Sequence, residues 1–168
     1  MSDLGLKIAD AEIFQLGERA EPSPSSPGHP SATWASNSIV LRVTTSDGLV
    51  GYGEAVPTLR VQPVIQSLRE VGRVYKGRDP PDVEANLHER HKHDFCLPVS
   101  ESATAVGAFD IACWGIIGKH YGAPIHRLIG GTFRDEAKNY ANGWYDGCAT
   151  PEEFGERARR FFSAGYRP

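Results

Sequence analysis

His88, His91 and His93 form the densest set of metal-ligand side chains in the sequence. The first two fall on one helical face. No acidic or cysteine set of fixed spacing stands near them, so a hydrated helix end is the better reading. Asp110 sits inside an otherwise apolar stretch and reads as a buried structural carboxylate satisfied by a neighbouring polar group, not as a catalytic acid. Cys96, Cys113 and Cys148 are odd in number, widely spaced and without a CxxC pair, which argues against a disulfide framework or a thiolate zinc site. Cys113 reads as a small buried apolar residue. Gly51-Tyr52-Gly53 ends a hairpin where a phosphate loop would open a helix, so it is a weak match to one. None of these groups supplies a catalytic or metal-binding assignment.

The elements around them are those of an α+β protein. Lys7 to Leu16 alternates imperfectly and reads as a strand ending at Gly17. Glu18 to Ser36, rich in proline, serine and glycine, is irregular, and a loop of that length is expected to be a lid or binding loop. Ser38–Val43 and Leu49–Gly53 are β-rich runs joined by Thr45-Ser46-Asp47-Gly48, whose Asp-Gly pair favours a tight hairpin turn. Val61 to Tyr75 spaces Val64, Ile65, Leu68, Val71 and Tyr75 as one helical face, and Pro81 to Phe95 is expected to be a second amphipathic helix opening on its proline. Ser102 to Tyr121 is apolar or small over most of its surface and is predicted to be the central buried helix. Pro124 to Ile129 is a short element stopped by Gly130-Gly131. A boundary is expected just beyond, dividing 1–131 from 132–168. Asn139 to Trp144 reads as a strand. Thr150-Pro-Glu-Glu153 is a capping box opening a helix to Ala164, with Gly165 as its C-terminal cap.

Composition narrows the classes. Hydrophobic residues make up 40% of 168 and charged residues 23%, enough for a soluble domain with a core. A net charge of -3 gives nucleic acid or an anionic membrane no footprint to bind. No run is long enough to span a membrane and no secretory signal is visible at the N-terminus, so the expected compartment is the cytoplasm.

Three segments, taken in order, carry a family resemblance. Ser38 to Ala55 resembles the capping-domain hairpin of the mandelate racemase/muconate lactonizing enzymes of the enolase superfamily, including the terminal Gly51-Tyr-Gly-Glu-Ala55. Ala108-Phe-Asp-Ile-Ala-Cys-Trp-Gly-Ile-Ile-Gly-Lys119 followed by Gly122 to Gly131 is similar to their long helix and the linker into the barrel. Tyr140-Ala-Asn-Gly-Trp144, with Thr150-Pro-Glu-Glu153 and Ala164-Gly-Tyr166, resembles their first barrel strand and helix. Gly115 stands where the family usually has Asp.

The resemblance implies a three-stranded antiparallel meander packed on a helical bundle, as in enolase N-terminal domains, followed by the first β/α unit of an incomplete TIM barrel. It implies abstraction of a proton next to a carboxylate, Mg²⁺ stabilising the enolate, and an outcome of acid-sugar dehydration, racemisation or cycloisomerisation. In the family the base and the metal ligands lie on later barrel strands. A closed barrel takes about 250 residues, and Lys138 to Pro168 has room for one strand-helix unit, so the chain is expected to be truncated, inactive alone and free of bound metal. The implied partner is a small carboxylate or acid sugar, with a homo-oligomer left open. His29, Trp34 and Glu54 are candidates for capping the substrate, and Asn142 and Trp144, near the C-terminal end of the first barrel strand, for contacting it. Each has a plainer alternative: a solvated loop for His29 and Trp34, a structural hydrogen bond for Glu54. The competing overall reading is a noncatalytic capping or assembly module that pairs with another chain. A small-ligand binder unrelated to catalysis has no motif behind it.

Overall fold

The computed structural model describes residues 5–17, 38–56, 61–93 and 100–166. These fall into two compact units, one ending at Gly131 and one beginning at Thr132. In the first, β1 (Ile8–Leu16), β2 (Ser38–Thr45) and β3 (Val50–Ala55) form an antiparallel meander in the order β1-β2-β3. Strict alternation along β2 buries Ile39, Leu41, Val43 and Thr45 on one face and leaves Ser38, Val40, Arg42 and Thr44 on the other. The hairpin turn is a three-residue loop: Gly48 N–H donates to the Thr45 carbonyl at 3.0 Å and Thr45 N–H to the Leu49 carbonyl at 2.9 Å. Gly48 has φ +90°, the left-handed conformation that such a loop needs at its last position.

The helices are α1 (Val61–Tyr75), α2 (Val83–His93), α3 (Ser100–Tyr121) and the short α4 (Ile125–Ile129). The five apolar residues spaced along α1 are all buried. They meet the core face of the sheet and α3, where the Tyr75 and Phe109 rings lie 5.0 Å apart. α3 is the centre of the core, burying Ala105, Ala108, Phe109, Ala112, Cys113 and Ile116. Its Ala103 and Ile111 are exposed all the same, so the apolar surface exceeds what the neighbouring elements cover.

β3 presents only Gly51, Gly53 and Ala55 inward because α3 lies directly on it. A Cβ added at Gly51 would sit 2.0 Å from the Ala112 carbonyl oxygen, and one at Gly53 would sit 1.9 Å from that of Ala108. Two strand residues advance about 6.8 Å and four helical residues about 6 Å. The two glycines therefore meet successive helical turns, with α3 running opposite to β3. Lys119 at the end of α3 donates to the Val50 carbonyl at 2.5 Å, which ties the helix to the strand a second time.

α2 departs from the expected span. Asp82 N–H donates to the Asp79 carbonyl at 3.1 Å, so Pro80 and Pro81 belong to a turn and the helix opens at Val83. Its one fully buried described residue is polar: Asn86 donates from Nδ2 to the Asp79 carbonyl at 2.8 Å. The expected strong apolar face is absent from the described part of α2, since Val83 and Leu87 are only partly buried.

In the second unit, residues 132–141 carry no regular structure and 142–147 form turns. The strand expected at Asn139–Trp144 is not formed. A strand is defined by its ladder, and no described segment supplies this one with a partner. α5 (Pro151–Ser163) follows with both halves of its capping box: Glu153 N–H donates to Thr150 Oγ1 at 3.3 Å, and Thr150 N–H donates to the Glu153 carboxylate at 3.2 Å. Its other end closes by Tyr166 N–H to the Phe161 carbonyl and Gly165 N–H to the Phe162 carbonyl. Gly165 has φ +101° and the Phe161 and Tyr166 rings lie 5.7 Å apart, a Schellman cap with its apolar contact.

Two stability predictions follow from these contacts. Gly53→Ala should cost about 3 kcal/mol or more, because backbone must give way. Gly115→Ala, whose Cβ would meet nothing nearer than the Gly51 Cα at 3.7 Å, should gain up to about 1 kcal/mol. Urea unfolding followed by circular dichroism measures both, and equal shifts for the two variants would contradict the packing described. At α5, bonds from the Ala149 and Thr150 amides, in that order, hold the Glu153 carboxyl below its ordinary value of 4.5. A depressed carboxyl stabilises the folded form above its unfolded value and loses that contribution as pH falls through the folded value. The protection factors of the α5 amides, taken relative to the intrinsic exchange rate at each pH, should therefore fall on acidification below about pH 4.5, and Glu153→Gln should flatten that pH dependence.

Candidate functional site

The resemblance directs attention to one end of the sheet, where β1 leaves at Leu16, β2 enters at Ser38 and β3 leaves at Ala55. Glu54 lies there on the outer face, exposed, and Ser38 Oγ donates to its Oε1. The hydroxyl comes from the residue diagonal to Glu54, whose direct cross-strand partner is Val40. The Ser38–Glu54 bond thus joins the stems of β2 and β3 at this end. One carboxylate oxygen is engaged in a structural bond, and the group remains open to solvent. His29 and Trp34 lie outside the described residues.

The same outer face carries a cross-strand row, Glu12 to Arg42 to Tyr52, set by the register of both ladders. Arg42 donates from Nε and Nη2 to the Glu12 carboxylate and lies 5.7 Å from the Phe14 ring centroid. Bonding to Glu12 raises the guanidinium above its ordinary value, so this cation is permanent. Lys119 lies 5.7 Å from the Tyr52 ring. Positive charge over aromatic faces is thereby repeated at both sides of the row.

In the second unit Asn142 and Trp144 stand in the turn segment. Asn142 Oδ1 accepts from the Gly143 N–H at 3.0 Å and from the Tyr145 hydroxyl at 3.4 Å, so the turn itself uses this oxygen. Trp144 packs edge-on against Tyr145 and Phe154. It also lines an apolar groove of about 660 Å³ with Tyr140, Phe161, Phe162 and Tyr166.

The remaining chemical candidates separate clearly. Burial, with a smaller contribution from Asp110, pushes the Cys113 thiol up to about 12, which leaves it an unreactive core residue. Asp110 is only partly buried and has no hydrogen-bond partner among the described residues, contrary to the satisfied carboxylate expected. Burial and then Glu84 raise its carboxyl above the ordinary range. His88 is exposed, and the side chains of His91 and His93 lie outside the described set. No three His, Cys, Asp or Glu side chains among the described residues converge to hold a metal ion, so no catalytic step through a metal is derived from them. Nor is any helix among them long and apolar enough to cross a membrane. Ser38 was not legible as a partner of Glu54, because the contact depends on strand register.

Known proteins resemble the chain over most of its length. It is 50% identical over 136 residues to D-gluconate dehydratase of Thermoproteus tenax, covering 80% of this chain and 27% of that protein. It is 41% identical over 160 residues to D-gluconate/D-galactonate dehydratase of Picrophilus torridus, covering 95% of this chain and 39% of that one. An enolase from Pantoea ananatis, solved with bound D-gluconate and Mg, shares the fold with a TM-score of 0.74 at 23% identity, over 96% of this chain and 35% of its own. The chain thus spans about a quarter to two fifths of the length of the curated relatives it matches. Residues 18–130 match the N-terminal domain of mandelate racemase/muconate lactonizing enzyme, and the chain belongs to that family.

Proposed function

We propose that this chain is the substrate-capping part of a cytoplasmic, Mg²⁺-dependent acid-sugar dehydratase acting on D-gluconate or a close aldonate. The observation that carries the proposal is the 50% identity to a D-gluconate dehydratase over 136 residues. In this reading Mg²⁺ supplies charge stabilisation to the enolate formed when the proton next to the carboxylate is removed. The part of this chain is to select and enclose the substrate. Glu54, at the sheet end from which the capping segments leave, offers an exposed carboxylate that accepts hydrogen bonds from sugar hydroxyls, oriented by Ser38. His29 and Trp34 are assigned to the cap, excluding water. Asn142 and Trp144 are assigned to substrate contact, the tryptophan through its ring face. No residue is assigned as acid, base or metal ligand.

The test joins residues 1–131 to the barrel of the Thermoproteus tenax enzyme in place of its own matching part. The chimera should dehydrate D-gluconate, and Glu54→Gln should lower kcat/KM about tenfold, mainly through KM. A folded chimera with no turnover of D-gluconate or D-galactonate would overturn the reading. Full activity in Glu54→Gln would remove Glu54 from it. The pure 168-residue chain should turn over no acid sugar in a Mg²⁺-supplemented panel.

The groove in the second unit favours one further reading, an assembly module whose apolar face another chain covers. Phe162 and Tyr140 are 57% and 78% exposed there, and α5 has no fully buried residue, which leaves its apolar side uncovered within the unit. Light scattering on the purified chain separates the two: a monodisperse oligomer supports the module, whereas aggregation, or proteolytic loss of the residues after Gly131, supports the enzyme part.

A further inference from the structure

The first unit has a second concave site, between β1 and α1 and apart from the Glu54 end. It is a cleft of about 290 Å³ whose wall carries Arg69, Arg73 and Lys76. Residues 69 and 73 are one helical turn apart on α1, and Lys76 follows in the turn just after it, so three cations line one side. Ile13, Leu68 and Gly72 contribute an apolar floor, and Asp10 of β1 also lines the cleft.

None of the three cations has an ion-pair or hydrogen-bond partner from its side chain among the described residues. The one acid on α1, Glu70, takes its bond from Gln66. All three are exposed, so the cleft presents three solvated cations along one wall. Arg73 and Lys76 also lie where cations complement a helix C-terminus, which accounts for two of them in structural terms. Arg69 is a turn further in, beyond the reach of that effect. Its placement beside the other two over an apolar floor points to a ligand.

We propose that this cleft binds a small organic anion bearing at least two negative charges and one or more hydroxyls, of the phosphate-monoester or polycarboxylate kind. Arg69 and Arg73 hold the charged group through charge-assisted, fork-shaped hydrogen bonds. Lys76 adds a third positive charge, and the weakly polarisable floor concentrates the field. Asp10 accepts from a ligand hydroxyl and repels anions that carry no donor. The site is separate from substrate capping, and the proposal stands whether or not the dehydratase reading does.

Calorimetric titration of the full 168-residue chain tests it with 6-phosphogluconate, citrate, inorganic phosphate and D-gluconate. Saturable binding of 6-phosphogluconate or citrate is expected, tighter than for inorganic phosphate or singly charged gluconate and weakening steeply with salt. Whichever of the two binds more tightly identifies the anion type. Arg69→Gln and Arg73→Gln should each weaken binding about tenfold, with Arg69→Gln leaving Tm unchanged, while Arg159→Gln in the second unit should leave binding as it is. The proposal is overturned if neither multiply charged anion binds saturably or if gluconate binds equally well. It also fails if the two arginine variants lower Tm while leaving affinity intact, which is the signature of a purely structural role.

Discussion

The close approach of α3 to β3 is the constraint on which the rest of the first unit depends. Most helix-on-sheet contacts are mediated by side chains from both partners. Here the strand contributes bare backbone at Gly51 and Gly53, and the helix answers with Ala112 and Ala108. With the helix seated this low, Phe109 reaches Tyr75 of α1, and the aliphatic side of the core comes almost wholly from β2, α1 and the later half of α3. Side chains at either glycine would lift the helix off the sheet and open the core along its whole length. The Gly-x-Gly of the family motif is therefore a packing device, and the glutamate beside it points to the opposite face, where Ser38 bonds it.

That division of labour between two faces explains what could be read in advance. The α1 face, the Asp47-Gly48 turn and the Thr150/Glu153 capping box were legible because each is fixed by residues within a few positions of one another. The overall α+β plan was legible for the same reason. What failed depended on distant partners. Asn139–Trp144 has strand composition but no ladder among the described residues. In the candidate site, Glu54 was visible through its motif, whereas its hydroxyl partner Ser38 was not. The convergence of Arg69, Arg73 and Lys76 on β1 was equally hidden, since only the helix half of that cleft is contiguous in sequence.

The second unit follows a different economy. α5 is stabilised from its ends, by a capping box at one and a Schellman turn at the other, with aromatic contacts between near neighbours. Such caps each contribute about 1 kcal/mol, which specifies where a helix starts and stops but buries little.

The Lys119 bond to Val50 has a counterpart across the sheet. Ile8 on the other edge exchanges bonds with Gly77 and Arg78, at 2.9 Å each. Both clasps sit at the hairpin-turn end, since Ile8 pairs with Thr45 and Val50 with Thr44. Toward Leu16 and Glu54 the outer strand edges have no such clasp among the described residues. At the Glu54 end the sheet is held instead by core packing of Ile39 and Ala55 and by the Ser38–Glu54 bond.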